Sequence, residues 1–412
     1  MLPCDGGTSI LDLQDNEVDQ AILNRIYASG VIVGLDDLDA MPTRNLVIIP
    51  YQTDDYPANP KVTKDTINRD FFARNTTSMS DYFLEVSYGQ YWLDNAGVSD
   101  VVTIDGSSAD FEKGQVGNDW TRNVSLYQQI CQGSTINWAR LDANKDFRIT
   151  PNEAQVCIMA ATGGSTLGCR PSAVTISYGG VNYVIDQRFV SSTCLSENDS
   201  REGTKGSVHY FFSQIAHELF HSIFCLPDRY TSYCESGGTG QFDIMSAPCR
   251  GIQHLNMHDK IKIGWVRPKV RMRTGVSAEC LSFPASESTA AALIVNPVLS
   301  TTPAGIQCEY WIVENRFIDA SSHNWDRGFP ESGLCVWYVR ETPGRQDEVY
   351  LIDAALPDGD PLLYHDQHAG TLFKVRHSSS VGSHVLYLGG GECADLGFGF
   401  VSAEGATMFA EF

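Results

Sequence analysis

His217, Glu218 and His221 are residues whose types and spacing describe a reaction. Histidines four positions apart sit one turn above another on the same face of a helix, so both rings can reach one metal ion. Glu218 comes directly after the first histidine and points toward the same space, where a carboxylate can take a proton from metal-bound water. Zinc held by neutral imidazoles lowers the pKa of its water to about 7 and so supplies hydroxide at neutral pH. An amphipathic helix with two ordinary histidines would show the same five residues, so the weight falls on the residues C-terminal to His221.

The helix has to end soon afterwards. Pro227 stops it, because its ring clashes with the preceding turn and it has no amide hydrogen. Asp228 then offers a carboxylate where the chain reverses. A catalytic zinc site takes three protein ligands and keeps one position open, and His217, His221 and Asp228 meet that count. Glu235, Asp243 and His254 are the other candidates for the third ligand. The stretch Phe242-Asp243-Ile244-Met245-Ser246 lies in a turn-rich segment between Gly240 and Pro248. Met245 there suits the floor of a metal site, although a methionine in a core is more often plain filler.

Taken with segments elsewhere in the chain, these pieces resemble the immune inhibitor A family of secreted zinc metalloproteases, relatives of the metzincins. Ser80 to Tyr91 (SDYFLEVSYGQY) is similar to the family's S-x-x-Y-F-x-E-x-S-Y-G segment, with one residue fewer between the serine and the tyrosine. Leu226 to Tyr230 matches its L-P-D-x-Y and Asp243 to Ser246 its D-I-M-S, and Lys262 to Trp265 resembles its K-x-x-G-W with one residue fewer between the lysine and the glycine. Downstream, Glu314-Asn315-Arg316 and Gly333-Leu334-Cys335-Val336-Trp337 resemble its E-N-R and G-L-x-x-W strands. The resemblance implies an α+β fold, with a metzincin-like catalytic domain in which a twisted mixed sheet carries the metal-bearing helix. It implies zinc on His217, His221 and Asp228, Glu218 as general base, Met245 in a Met-turn, and endopeptidase activity on protein or peptide substrates. Two departures stand out. The family has glycine where this chain has Phe224, and Asp228 falls eleven residues after His217 instead of ten. Glycine supplies a positive φ that a bulky residue adopts only at a cost. The rival reading is a catalytically inactive, protease-like binding or adhesion module; the intact Glu218 speaks against it and the absent glycine for it.

A second metal loop is readable at 142–153. Asp142, Asn144, Asp146, Thr150 and Glu153 fall at positions one, three, five, nine and twelve, which is the oxygen-ligand spacing of a calcium loop. Position six, glycine in an EF-hand, is Phe147 here. An acidic surface loop held by Asx-turns is the plainer alternative.

Composition sets the class. The chain has 412 residues, 42% hydrophobic, and a formal charge of −21, which disfavours nucleic acid and anionic membranes as partners. No apolar run approaches the length of a membrane span. Twelve cysteines without a C-x-x-C pair argue for disulfides in an oxidising, extracellular compartment rather than a structural zinc cluster. Cys234 and Cys249 bracket Met245 as a candidate staple, and Cys225 is expected in a disulfide by parity. The N-terminal residues lack a basic start and an apolar core, so any secretion signal lies outside this sequence. Nothing in the sequence specifies an oligomeric state.

The elements that position these residues are set by periodicity and punctuation. Residues 1–44 read as an N-terminal arm or pro-region remnant, 45–267 as the catalytic domain and 268–412 as a β-rich domain of sandwich type. Within the catalytic domain, 45–50 reads as a buried strand and 80–87 as a helix capped by Ser80, with 88–93 as a strand after it. A further helix is expected at 119–132. Strands at 174–178 and 181–190 form a hairpin about Gly179-Gly180, and 207–224 forms the metal-bearing helix. His254 and His258, another pair four apart without a glutamate, are expected on an exposed helix.

Overall fold

In the computed structural model, the first elements in chain order are β1 (Thr8–Ser9), β2 (Thr43–Thr53), α1 (Lys64–Phe72), α2 (Met79–Val86), β3 (Trp92–Val98) and β4 (Val102–Ile104). Next come α3 (Trp120–Gly133), α4 (Trp138–Leu141), β5 (Arg148–Ile149), β6 (Gln155–Ala160), β7 (Gly168–Tyr178), β8 (Val181–Thr193) and α5 (Val208–Phe224). After α6 (Met257–Lys262) the chain is β: β9 (Lys269–Arg271), β10 (Cys280–Pro284), β11 (Leu293–Thr302), β12 (Gly305–Arg316) and β13 (Gly333–Glu341). The last strands are β14 (Glu348–Leu351), β15 (His384–Tyr387), β16 (Cys393–Phe398), β17 (Phe400–Val401) and β18 (Thr407–Glu411). The structure describes residues 8–13, 24, 43–55, 57–58, 60, 62–74, 78–106, 120–161, 168–193, 208–230, 239–246, 252–271, 280–286, 288–318, 325, 332–351, 384–387, 393–398, 400–401 and 407–411. Glu235, Cys234 and Cys249 lie outside them, as does most of the N-terminal arm. The chain is α+β, with several sheets.

Two compact units emerge. One comprises Asp37–Leu84 and Gly89–Leu226, the other Met1–Asp36, Glu85–Tyr88 and Pro227–Phe412. The division falls at Leu226/Pro227, whereas the sequence pattern places the domain boundary at 267/268. The reason is visible in the second unit, where α6 lies against β12 and β13. Met257, Ile261, Val266 and Val270 share one core with Ile312, Trp337 and Val339, so the segment before Pro268 belongs with the β strands.

The first unit is built on a seven-stranded sheet ordered β3-β2-β6-β8-β5, with β4 also beside β2 and β7 beside β8. All its pairings are parallel except β7 with β8. That hairpin closes at Gly179 and Gly180, whose φ values of 61° and 81° suit the two-residue turn that matches strand twist. β6 is buried at every position, the mark of a central parallel strand covered on both faces. α3 and α4 supply Leu126, Tyr127, Ile130 and Trp138 to one core with β2, β6 and β8. α2 begins earlier than the sequence suggests: Ser78 caps it, its Oγ accepting from Asp81 N at 3.1 Å. Ser80 instead ties the helix to β3, with its Oγ donating to the Leu93 carbonyl at 2.9 Å. The strand expected at 88–93 starts only at Trp92, because Tyr88 and Gly89 make a left-handed turn at φ 57° and 78°.

The second unit contains two sheets that share a core. A five-stranded sheet ordered β14-β13-β12-β11-β9 and a four-stranded sheet ordered β1-β10-β18-β17 share a core of Leu281, Phe283, Trp311, Val313, Val336 and Met408. With α6 on its other face, the larger sheet is buried on both sides, and β13 is buried at eight of nine positions. The Glu314-Asn315-Arg316 segment and Trp337 form a buried network there. Glu314 accepts from Trp337 Nε1 at 2.7 Å and Ser286 Oγ at 2.6 Å, while Arg316 lies 3.2 Å from Glu314 and donates to the Leu255 carbonyl at 2.9 Å. These motif residues hold the fold of the β unit together.

Candidate metal centre

α5 carries the two histidines and is seated by aromatic packing. Phe220 and Phe224, one turn apart, meet Phe83 at 5.0 Å and Tyr91 at 5.1 Å between ring centroids. Such pairs contribute about 0.5–1.5 kcal/mol each beyond the area they bury. Polar contacts fix the helix from the sheet side. Ser222 Oγ donates to Gln155 Oε1 at 2.6 Å and lies 2.9 Å from the Arg188 carbonyl, and Arg188 donates to the His221 carbonyl at 3.3 Å. Gln155 and Arg188 carry no signal in the sequence, because they are brought to the helix only by the pairing of β6 with β8.

His217 and His221 present their Nε2 atoms 3.0 Å apart. Two nitrogens bound to a tetrahedral zinc at about 2.05 Å would stand roughly 3.3 Å apart. The other nitrogen of His221, Nδ1, meets the Leu226 carbonyl at 2.5 Å. A carbonyl can only accept, so Nδ1 carries the proton and Nε2 keeps its lone pair for a metal. His217 is buried and Glu218 half-buried beside it.

The turn after α5 answers the absent glycine. Phe224 remains helical and fully buried; the left-handed residue is Cys225, at φ 55°. The chain closes with Leu226 N–H on the Phe220 carbonyl at 3.4 Å, one residue wider than the six-to-one closure of a glycine-ended helix. α6 provides the contrast, ending on Gly264 at φ 82° with Trp265 N–H on the Lys260 carbonyl at 3.0 Å. The extra residue thus shifts both the turn and the aspartate by one position. Asp228 comes three residues after Cys225 on the same run of chain. One ligand atom from each of His217, His221 and Asp228 lies within 4.8 Å of the others.

Of the other candidates for third ligand, the described ones, Asp243 and His254, are committed elsewhere. Asp243 is buried, with Oδ1 accepting from Met245 N and Asn256 N, both at 3.1 Å, and Oδ2 from Thr239 Oγ1 at 2.8 Å and Asn256 Nδ2 at 2.7 Å. It shapes the Met245 turn. Met245 itself is fully buried, and its carbonyl accepts from Arg229 N at 2.9 Å. His254 and His258 are buried instead of exposed. His254 lies 3.0 Å from both Glu85 Oε1 and Lys260 Nζ. His258, Glu341 and Asp347 form a second set of potential ligand atoms within 4.8 Å. Lys262 already places its ammonium 3.2 Å from Asp347 and 3.8 Å from Glu341, and Tyr310 bridges Glu341 and His258 at 2.7 and 3.2 Å. A resident cation fills the role a metal would have there.

The 142–153 loop is held by side-chain-to-backbone hydrogen bonds of the Asx-turn kind. Asp142 accepts from Asp146 N at 3.1 Å and Phe147 N at 3.0 Å, Asn144 from Asp146 N at 3.0 Å, and Asp146 from Arg148 N at 2.8 Å. Glu153 reaches back to Ala143 N and Thr150 N, each at 3.0 Å. Phe147 takes the position-six conformation without glycine, at φ 63°, its ring edge-on to Tyr183 at 5.7 Å. β5 comes next, anchored by fully buried Ile149.

No family model, curated protein or solved structure matches this chain. The functional reading therefore rests on the geometry of the site. No helix among the described residues is long and apolar enough to cross a membrane. The described cysteines, Cys131, Cys157, Cys169, Cys225, Cys308 and Cys335, are not joined in disulfides.

Proposed function

We propose that this chain is a secreted, zinc-dependent endopeptidase of the immune inhibitor A type, with a metzincin-like catalytic region. The observation that carries the reading is the pair of imidazole Nε2 atoms 3.0 Å apart on one helix, one of them in a tautomer fixed by the Leu226 carbonyl, with the Asp228 carboxylate beside them. Two neutral nitrogens and one carboxylate form a zinc ligand set that leaves a coordination position open. Zinc bound there supplies a water whose pKa is near 7 and a Lewis acid for the scissile carbonyl. Glu218, next to His217, takes the proton of the attacking water and returns it to the leaving amine. Asp228 balances part of the metal's charge, and the Leu226 carbonyl keeps His221 aimed.

The edge of β7 supports binding of an extended peptide. Among the described residues β7 pairs only with β8, so its far side offers main-chain donors and acceptors to a substrate strand. Gln132 occupies that side at Ser177, taking its N–H at 2.8 Å and its carbonyl at 2.9 Å. Outward-facing groups recur every second residue, which leaves Ala173 and Thr175 open to a peptide. Calcium in the 142–153 loop is a second part of the proposal, supported by oxygen-bearing side chains at the five ligand positions.

The test is metal analysis joined to proteolysis. The purified protein is expected to hold about one zinc per chain and to cleave casein. A zinc chelator should abolish cleavage and added zinc restore it. Stoichiometric zinc without cleavage would favour the inactive binding module, and absence of both would remove the metal centre.

A further inference from the structure

We propose that Cys169 and Cys225 form a disulfide that staples the end of the metal-bearing helix to the edge strand β7. The two lie 56 positions apart, yet the fold brings them to one place. Cys169 sits near the start of β7, opposite Val190 of β8, and both strands pack on α5. Ser222, three positions before Cys225, has its Oγ 2.9 Å from the Arg188 carbonyl, and Arg188 is two residues from Val190, the strand partner of Cys169. Cys225 is exposed and Cys169 half-buried, and the two thiols lie within electrostatic range of each other. Burial, reinforced by the nearby Glu218 carboxylate, pushes the Cys169 thiol up to about 12.

That difference in exposure sets the order of the chemistry. A small disulfide such as oxidised glutathione meets Cys225 first. The Cys225 thiolate attacks one sulfur of the oxidant, forms a mixed disulfide and releases one glutathione thiolate. Cys169 then loses its proton to solvent, attacks the Cys225 sulfur and displaces the second glutathione. Two protein thiols are oxidised by two electrons and one oxidised glutathione becomes two reduced molecules. Because Cys169 is held as a thiol, the second displacement is the slower one. The product fixes the left-handed residue that begins the turn to Asp228. A disulfide needs Cα atoms about 4.4–6.8 Å apart, and the exposed turn at Cys225 is the segment that adjusts to meet this.

Peptide mapping of the whole protein under non-reducing conditions, after equilibration with oxidised glutathione, tests the assignment. The expected result is a cross-linked pair of peptides containing Cys169 and Cys225, lost on reduction with dithiothreitol. The oxidised wild type should also melt several degrees above the reduced protein, because closing a loop of this length restricts the unfolded chain. Cys225→Ser and Cys169→Ser should each lose that same increment. Recovery of either cysteine alkylated, capped by glutathione or linked to another cysteine overturns the proposal. The pairing does not depend on zinc, so its failure would leave the metal centre untouched, and the reverse also holds.

Discussion

The main-chain N–H of Arg229 donates to the Met245 carbonyl at 2.9 Å, which ties the residue after Asp228 to the turn at Met245. The Asp228 carbonyl is held as well, accepting from Gln346 Nε2 at 2.9 Å. The backbone on both sides of the carboxylate is therefore fixed, which favours a ligand over a free surface aspartate. Asp228→Ala is expected to weaken zinc binding about as much as His221→Ala, by more than the roughly 10- to 100-fold cost of losing an outer-shell partner. Zinc titration against a competing chelator measures this. Undiminished affinity in the Asp228 variant would remove it from the ligand set.

Glu218→Gln separates metal binding from chemistry. The substitution keeps the shape and removes the base, so zinc content should match wild type while casein cleavage falls by about 100-fold or more. Cleavage at the wild-type rate would eliminate Glu218 as the general base.

The calcium reading makes a thermal prediction. A ligand that binds only the folded state raises its stability by mass action. In millimolar calcium the wild type should melt higher than in a calcium chelator, and Asp142→Ala combined with Asp146→Ala should abolish the difference. Melting curves that ignore calcium in both proteins would reduce the loop to its Asx-turns.

Arg229 and Asp259 form a buried pair, 2.5 Å apart at their closest and almost without solvent. Burial opposes the Asp259 charge, but the adjacent guanidinium prevails and holds the carboxyl below its ordinary value. Removing one partner strands the other in the interior. Arg229→Met should therefore lower unfolding stability by about 3–5 kcal/mol, measurable by urea denaturation. A loss under about 1 kcal/mol, the scale of an exposed pair, would mean that water reaches Asp259.

Much of this arrangement is legible in the sequence, for local reasons. The histidine spacing, the Gly179-Gly180 hairpin and the switch to short strands after Pro268 each depend on a few neighbouring residues, and the structure places each where the sequence does. What the sequence hides depends on distant partners. Cys225 replaces Phe224 as the left-handed residue because Phe224 is held in the helix by Tyr91. His254 and His258 read as exposed because their partners Glu85 and Asp347 lie far off in the chain. Asp243 is a candidate ligand by type, yet its donors come from Thr239, Met245 and Asn256, and only the folded turn collects them.

His254 offers a test of that buried network by pH. Burial holds its pKa well below the ordinary value, and repulsion from Lys260 and Arg316 pushes the same way. Glu85 faces Nε2 and Lys260 faces Nδ1, with Tyr88 hydrogen-bonded to the same ammonium. Near pH 6 the unfolded chain binds a proton at this histidine, whose ordinary pKa is about 6.5, and the folded chain does not. Stability from His254 is thus fully present above about pH 6.5 and is lost as pH falls from there toward the depressed folded value, by at most about 1.4 kcal/mol per pH unit. His254→Gln removes the titrating group. The gap in unfolding free energy between wild type and variant should narrow as pH falls from about 7.5 to about 5.5, a window above most carboxylate titration. Paired urea melts across that range measure it. A gap that stays constant would mean that His254 titrates alike in both states, and so is not sealed from water by Glu85 and Lys260.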